Sequence, residues 1–195
     1  MSRPLYPLLR LYFIGSLLAL AENFIPSSEN ILYGAPFLNF IRLCVLISSL
    51  ILQLYALSKL RFLGRRMQQA FRYTIISIVG VMLLTLFLLA SLLSPNGLPL
   101  VILSLILLVG FAILSMIADY QFYWGLGETI VPNEYDFSED RLHWAFYWKL
   151  IALPVVFLAE LSQIPLLPTI CSLIFSSLSL FILYQFSQVV QQKEE

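Results

Sequence analysis

Few residues in this chain could do chemistry, and most of them are charges placed where a membrane would make them expensive. Arg42 is the clearest case. It falls within the apolar run Ile31–Leu57, and a guanidinium surrounded by hydrocarbon must find a carboxylate or helix carbonyls. Counted from Ile31 it is 11 residues along, about 16 Å at ~1.5 Å per residue, close to mid-bilayer. Glu160, in the apolar run Trp144–Gln163, is the expected partner, with Glu22 at the end of the first run as second choice. Such a pair is either a substrate-binding or gating site, or an ion pair that fixes how helices dock. A second group, Asp119, Lys149 and Arg10, falls at matched depth toward the opposite face. Asp119 with Lys149 is the preferred pairing there, and snorkelling to the headgroups is its alternative. The third group is an acidic stretch: Glu128, Glu134, Asp136, Glu139 and Asp140.

A catalytic assembly is harder to find. His143 is the only histidine, so a multi-histidine metal centre is excluded, and neither a metal nor a cofactor is expected. No GxSxG, HExxH or phosphate-cradling glycine loop occurs. Gly125-Leu126-Gly127-Glu128 carries a glutamate where intramembrane aspartyl proteases place an aspartate, and Asp119 would share its helix. That chemistry is set aside. Cys44 and Cys171 sit in apolar runs without a CxxC and read as small hydrophobes.

These residues must be positioned by apolar helices. Of 195 residues, 60% are hydrophobic and 11% charged, against roughly 45–50% and about 25% in soluble domains; mean hydropathy is +0.89. Residues 73–118 run for 46 positions without a charge, and 161–192 for 32. A spanning helix takes about 20. The expected fold is all-α, a polytopic integral membrane helix bundle forming one transmembrane domain over residues 1–195. Its six transmembrane helices are expected at 5–24, 31–57, 73–93, 98–123, 144–163 and 166–186, or five if the first lies in the interface, since Arg10 interrupts it.

Turn chemistry separates the runs. Pro26–Asn30, Ser94–Gly97 and Pro165 with Pro168 are expected to close hairpins. Ser138 with Glu139 and Asp140 resembles a helix N-cap followed by acids suited to the dipole. Arg3 and Arg10 before Leu11–Leu18, with Ala19-Leu20-Ala21 after, outline a signal peptide. The segment is nevertheless read as an uncleaved first helix, because everything downstream stays in the membrane anyway. Gly80 and Gly110 fall mid-helix, where small residues let helices approach closely. Pro154 could kink the fifth span.

Basic residues set the orientation. With the N-terminus in the cytoplasm, Arg3, Arg10, Lys59, Arg61, Arg65, Arg66, Arg72, Arg141, Lys149 and Lys193 all fall toward the inside, and Arg42, within the second span, is the only basic residue left over. Both ends are thus expected inside (N-in/C-in). Tyr120–Trp124 and Trp144–Trp148 are read as an anchoring aromatic belt at the inner interface. The basic loop 58–72 reads as an amphipathic segment lying on anionic lipid. The acidic loop, 124–143, either pairs with it or docks a partner.

Eleven basic and eleven acidic residues cancel, which gives no global charge for nucleic acid. The lipid bilayer is the first partner expected, and a protein at the cytoplasmic face the second. Six short-looped spans form an outline similar to that of vitamin-binding subunits of energy-coupling-factor transporters and of permease subunits of small exporters, in architecture alone. The expected function is therefore a non-enzymatic permease, substrate-binding or accessory subunit of a membrane complex. The alternatives are a small intramembrane or interfacial lipid-acting enzyme using Asp119, His143 and Glu128, or a structural or assembly factor. Small size and short loops suit a bacterial plasma membrane.

Overall fold

The structure, a computed structural model, describes residues 5–22, 24–25, 36–92, 98–164 and 166–195. The expected turns at Pro26–Asn30 and Ser94–Gly97 and at Pro165 lie outside the described residues. Every regular element among those described is helical: α1 (Tyr6–Glu22), α2 (Pro36–Leu60) with a 3-10 turn over Arg61–Leu63, α3 (Arg65–Leu92), α4 (Leu98–Gly127), α5 (Glu139–Leu161) and α6 (Leu167–Glu194). Five of them, α2 to α6, are long and apolar enough to cross a membrane. The 17 residues of α1 reach about 25 Å, short of the ~30 Å hydrocarbon core.

Helix ends depart from the expected ones in a consistent way. The basic stretch 58–72 is not a loop: Ser58–Leu60 finish α2, Gly64 breaks the chain, and Arg65–Arg72 form the first two turns of α3. Likewise α4 continues past 123 to Gly127, α5 starts at Glu139 rather than 144, and α6 continues past 186 to Glu194. Apolar content marks where a helix enters hydrocarbon, not where its hydrogen bonds stop. Arg, Met, Gln, Glu and Lys are all good helix formers, so the helices run on into water. Pro154 is absorbed within α5.

The chain forms two compact units, one of Met1–Leu60 with Leu126–Glu195 and the other of Arg61–Gly125. In the first, α1 packs on both α2 and α6, and α5 on α6, so the helices lie in the order α2, α1, α6, α5. The Phe13 and Tyr184 rings meet at 5.5 Å, and Trp148 meets Phe175 at 5.9 Å. Most of the buried side chains cluster at one end: Leu5 just before α1, Leu9 and Tyr12 of α1, Leu142 and Phe146 of α5, Leu183, Phe186 and Val190 of α6. Toward the other end the helices turn Phe37, Phe40, Leu43, Phe157 and Leu161 outward. Apolar patches of that extent would aggregate in water, and lipid is the solvent that accepts them.

The second unit is the antiparallel hairpin of α3 and α4. The Ser77 hydroxyl donates to the Phe111 carbonyl at 3.1 Å. Gly80 faces the Phe111 ring so closely that a Cβ there would stand 2.1 Å from Phe111 Cε1. Gly110, by contrast, has nothing within 4 Å of an added Cβ, so only one of the two mid-helix glycines serves close packing.

One contact ties the start of α1 to the end of α6. The Glu194 carboxylate accepts hydrogen bonds from the Leu5 amide at 2.7 Å and the Tyr6 amide at 3.2 Å. A helix leaves its first amides without intrahelical partners, and a carboxylate there also meets the positive end of the dipole. It is a cap supplied from a distant part of the sequence. Glu194 also bears on the loop before α5: burial, and then the Glu194 charge, raise the Tyr135 hydroxyl above the ordinary tyrosine range. Glu194→Gln is expected to cost about 1 kcal/mol and to speed amide exchange at Leu5 and Tyr6. It should also lower the Tyr135 pKa without returning it to the ordinary range, which a tyrosinate absorbance titration reads.

Candidate functional site

The α1–α2 hairpin brings Arg42 to a partner. A Cβ at Gly15 would come within 2.9 Å of Gln53 Cγ and 3.1 Å of the Ser49 carbonyl, so glycine sets the spacing of the two helices. The Ser49 hydroxyl donates to the Gly15 carbonyl at 2.8 Å, and Gln53 donates to Ser49 at 3.2 Å. Small and hydroxylated residues join helices in lipid in this way. Glu22 lies about two turns beyond Gly15 on α1, and Arg42 about two turns before Ser49 on α2, so both repeat the contact face. Arg42 Nε donates to Glu22 Oε1 at 2.7 Å.

This corrects the expected pairing. Arg42 meets Glu22, while Glu160 is exposed on the last turn of α5. The depth changes too, since α2 begins at Pro36 and Arg42 is therefore about 9 Å from its start rather than at mid-helix. Neighbouring helices in sequence made the pair, and a carboxylate closing α1 opposite an arginine opening α2 is the signal that could have ranked Glu22 first.

The pair borders an opening of about 230 Å³ lined by Glu22, Asn39, Arg42, Leu43 and Leu46. Asn39, three residues before Arg42, joins the site without having been singled out from sequence. The Arg42 side chain is 39% exposed and that of Glu22 18%. Because Glu22 takes only Nε, the terminal nitrogens of the guanidinium keep the forked geometry that matches a carboxylate or phosphate. The site can thus hold a small anion against two leucines, or simply lock the hairpin.

The acidic residues are assembled by a different logic. Between α4 and α5 the chain folds as successive turns, with the Tyr135 amide donating to the Ile130 carbonyl at 3.1 Å and the Thr129 hydroxyl to the Leu126 carbonyl at 2.7 Å. Asn133 donates to the Thr129 carbonyl at 2.8 Å. Two aromatic rings fasten the segment to α6, Tyr135 and Phe137 meeting Phe186 at 5.9 and 5.3 Å. Lys193 donates to the Glu134 carbonyl at 2.9 Å and lies 3.8 Å from its carboxylate. With Leu126, Thr129 and Ile130 buried, Glu128, Glu134, Asp136, Glu139 and Asp140 are all exposed. Sequence reasoning found the acids and missed the anchors Tyr135, Phe137, Phe186 and Lys193. The alternation of acids with Tyr135 and Phe137 was the available signal.

The remaining candidates are placed less tightly. Arg10 is exposed on α1 and Lys149 half-buried on α5, both in the first unit, whereas Asp119 is half-buried on α4 in the second. His143 Nε2 stands 3.5 Å from Glu139 Oε1 one turn earlier on α5. Among the described residues no three of His, Cys, Asp and Glu gather as a metal site would require. Cys44 and Cys171 are free thiols. No family model, curated protein or solved structure matches this chain.

Proposed function

We propose that this membrane protein is a non-enzymatic subunit of a membrane complex, with both ends in the cytoplasm, since α1 starts beside the end of α6 and runs back along it, and that it takes a basic segment of its partner on the acidic surface before and at the start of α5. The observation that carries this reading is a loop whose aromatic side chains are fastened to α6 while its three carboxylates, and those of Glu139 and Asp140 in the first turn of α5, are exposed. A floppy acidic loop would lose ordering entropy on binding; a fastened one offers its charges already placed. Opposite charge also speeds encounter and selects the partner.

Reversing Glu134, Asp136, Glu139 and Asp140 together to lysine is expected to abolish co-purification of a second polypeptide after gentle extraction, with insertion unchanged. Capture at the wild-type level by the reversed chain would remove the proposal.

The opening beside Arg42 favours a second reading, in which the subunit binds a small carboxylate or phosphate through the guanidinium. Native mass spectrometry then finds a retained anion in the wild type and none in Arg42→Gln. Retention by both would detach the anion from this site.

A further inference from the structure

The start of α3 carries a second assembly of charge, and it stands beside an apolar face of matching length. Arg61 lays its guanidinium over the Phe71 ring, 5.9 Å from the centre, although ten residues separate them in the sequence. The turn over Arg61–Leu63 and the break at Gly64 double the chain back to allow it. Arg61 therefore stands level with the residue just before Arg72. Arg65 lies one heptad before Arg72, about 10 Å further out on nearly the same face. All three arginines are exposed, and among the described residues none of the three is paired with a carboxylate.

Below Arg72 the same face of α3 continues as Ile76, Val79 and Leu83, all exposed. Their spacing of four, seven and eleven residues from Arg72 keeps them in one stripe. It runs about 16 Å along the axis, close to half of a ~30 Å hydrocarbon core. Two exposed guanidinium groups at the level where an apolar stripe one leaflet long begins fit an amphiphile with an anionic head. A soluble anion would leave the stripe unused, and an acidic peptide would not follow it into hydrocarbon.

We propose that Arg61 and Arg72 hold the phosphate of an anionic phospholipid whose acyl chain lies along Ile76, Val79 and Leu83, with Arg65 adding attraction from further out. This goes beyond generic targeting by positive charge, because it assigns one lipid class to one helix face.

The test is native mass spectrometry of the full chain in detergent, offered equal amounts of dioleoylphosphatidylglycerol and dioleoylphosphatidylcholine. The wild type is expected to retain phosphatidylglycerol preferentially. Arg61→Gln with Arg72→Gln should cut that preference by about 25-fold, roughly fivefold per arginine, while Arg141→Gln leaves it in place. Should the double variant fold poorly, the wild type alone decides: raising salt to about 1 M, where screening acts within ~3 Å, should erase the preference. The proposal is overturned by equal retention of the two lipids, by a preference indifferent to salt, by one that survives the double substitution, or by displacement of the lipid by inorganic phosphate alone.

Discussion

Gly80→Ala is expected to force α3 from α4 and to lower stability by about 1–3 kcal/mol. The added methyl would stand 2.1 Å from Phe111 Cε1 and 2.3 Å from Cζ, distances no pair of carbons sustains. Relief must come from swinging the ring or separating the helices. Separation also stretches the hydrogen bond from Ser77 to the Phe111 carbonyl, one turn earlier on α3. In lipid the cost weighs heavily, since close packing and such bonds, rather than exclusion of water, hold helices together. Phe111→Ala in the same chain should return part of the loss by vacating the space, so the double variant is milder than the sum of the singles. Gly110→Ala supplies the contrast: its added carbon meets nothing, and alanine is the better helix former by up to ~1 kcal/mol, so a small gain is expected. Reversible unfolding in mixed micelles checks all four variants. Equal losses for Gly80→Ala and Gly110→Ala would show that backbone freedom, not the Phe111 ring, makes position 80 glycine.

The contrast between these two glycines shows what could be read from the sequence and what could not. A charge-free run such as 73–118 announces helices in hydrocarbon, because every backbone group there must be paired within its own helix. The same run says nothing of where a helix stops in water, so 58–72 read as a separate amphipathic segment between spans although Arg65–Arg72 are continuous with α3. Nor does composition tell which glycine meets a ring, since both lie in apolar runs and only the α3–α4 register distinguishes them. Arg42 was legible as a charge needing a partner, yet its partner depended on which helices pack. α1 meets α2 through Gly15 and Ser49, and that contact, not the length of the side chains, selected Glu22 over Glu160. Glu194 was silent for a similar reason. A carboxylate near the end of a helix is ordinarily unremarked, and its use as a cap for α1 exists only once α6 lies antiparallel beside it.

Glu22→Leu is expected to cost about 1 kcal/mol, because it strands Arg42 near the edge of hydrocarbon, short of the centre, where an unpaired arginine costs about 3 kcal/mol. Arg42→Leu should cost a comparable amount, for it leaves the Glu22 carboxylate without its partner. Replacing both should restore most of the stability, since exchanging a partly buried ion pair for apolar side chains is often neutral. The cycle thus predicts a strong coupling between positions 22 and 42 and none between 42 and 160. Glu160→Leu with Arg42→Leu should show simple additivity. Reversible unfolding of the single and double variants measures both couplings. Retention of an anion, followed on the same preparations, separates the two roles the pair could have. If Arg42 only locks the α1–α2 hairpin, the Glu22→Leu, Arg42→Leu chain regains the full behaviour of the wild type along with its stability. If its forked nitrogens hold a ligand beside Asn39, that chain regains stability and still binds no anion, because the one group that could have carried the opposite charge is gone.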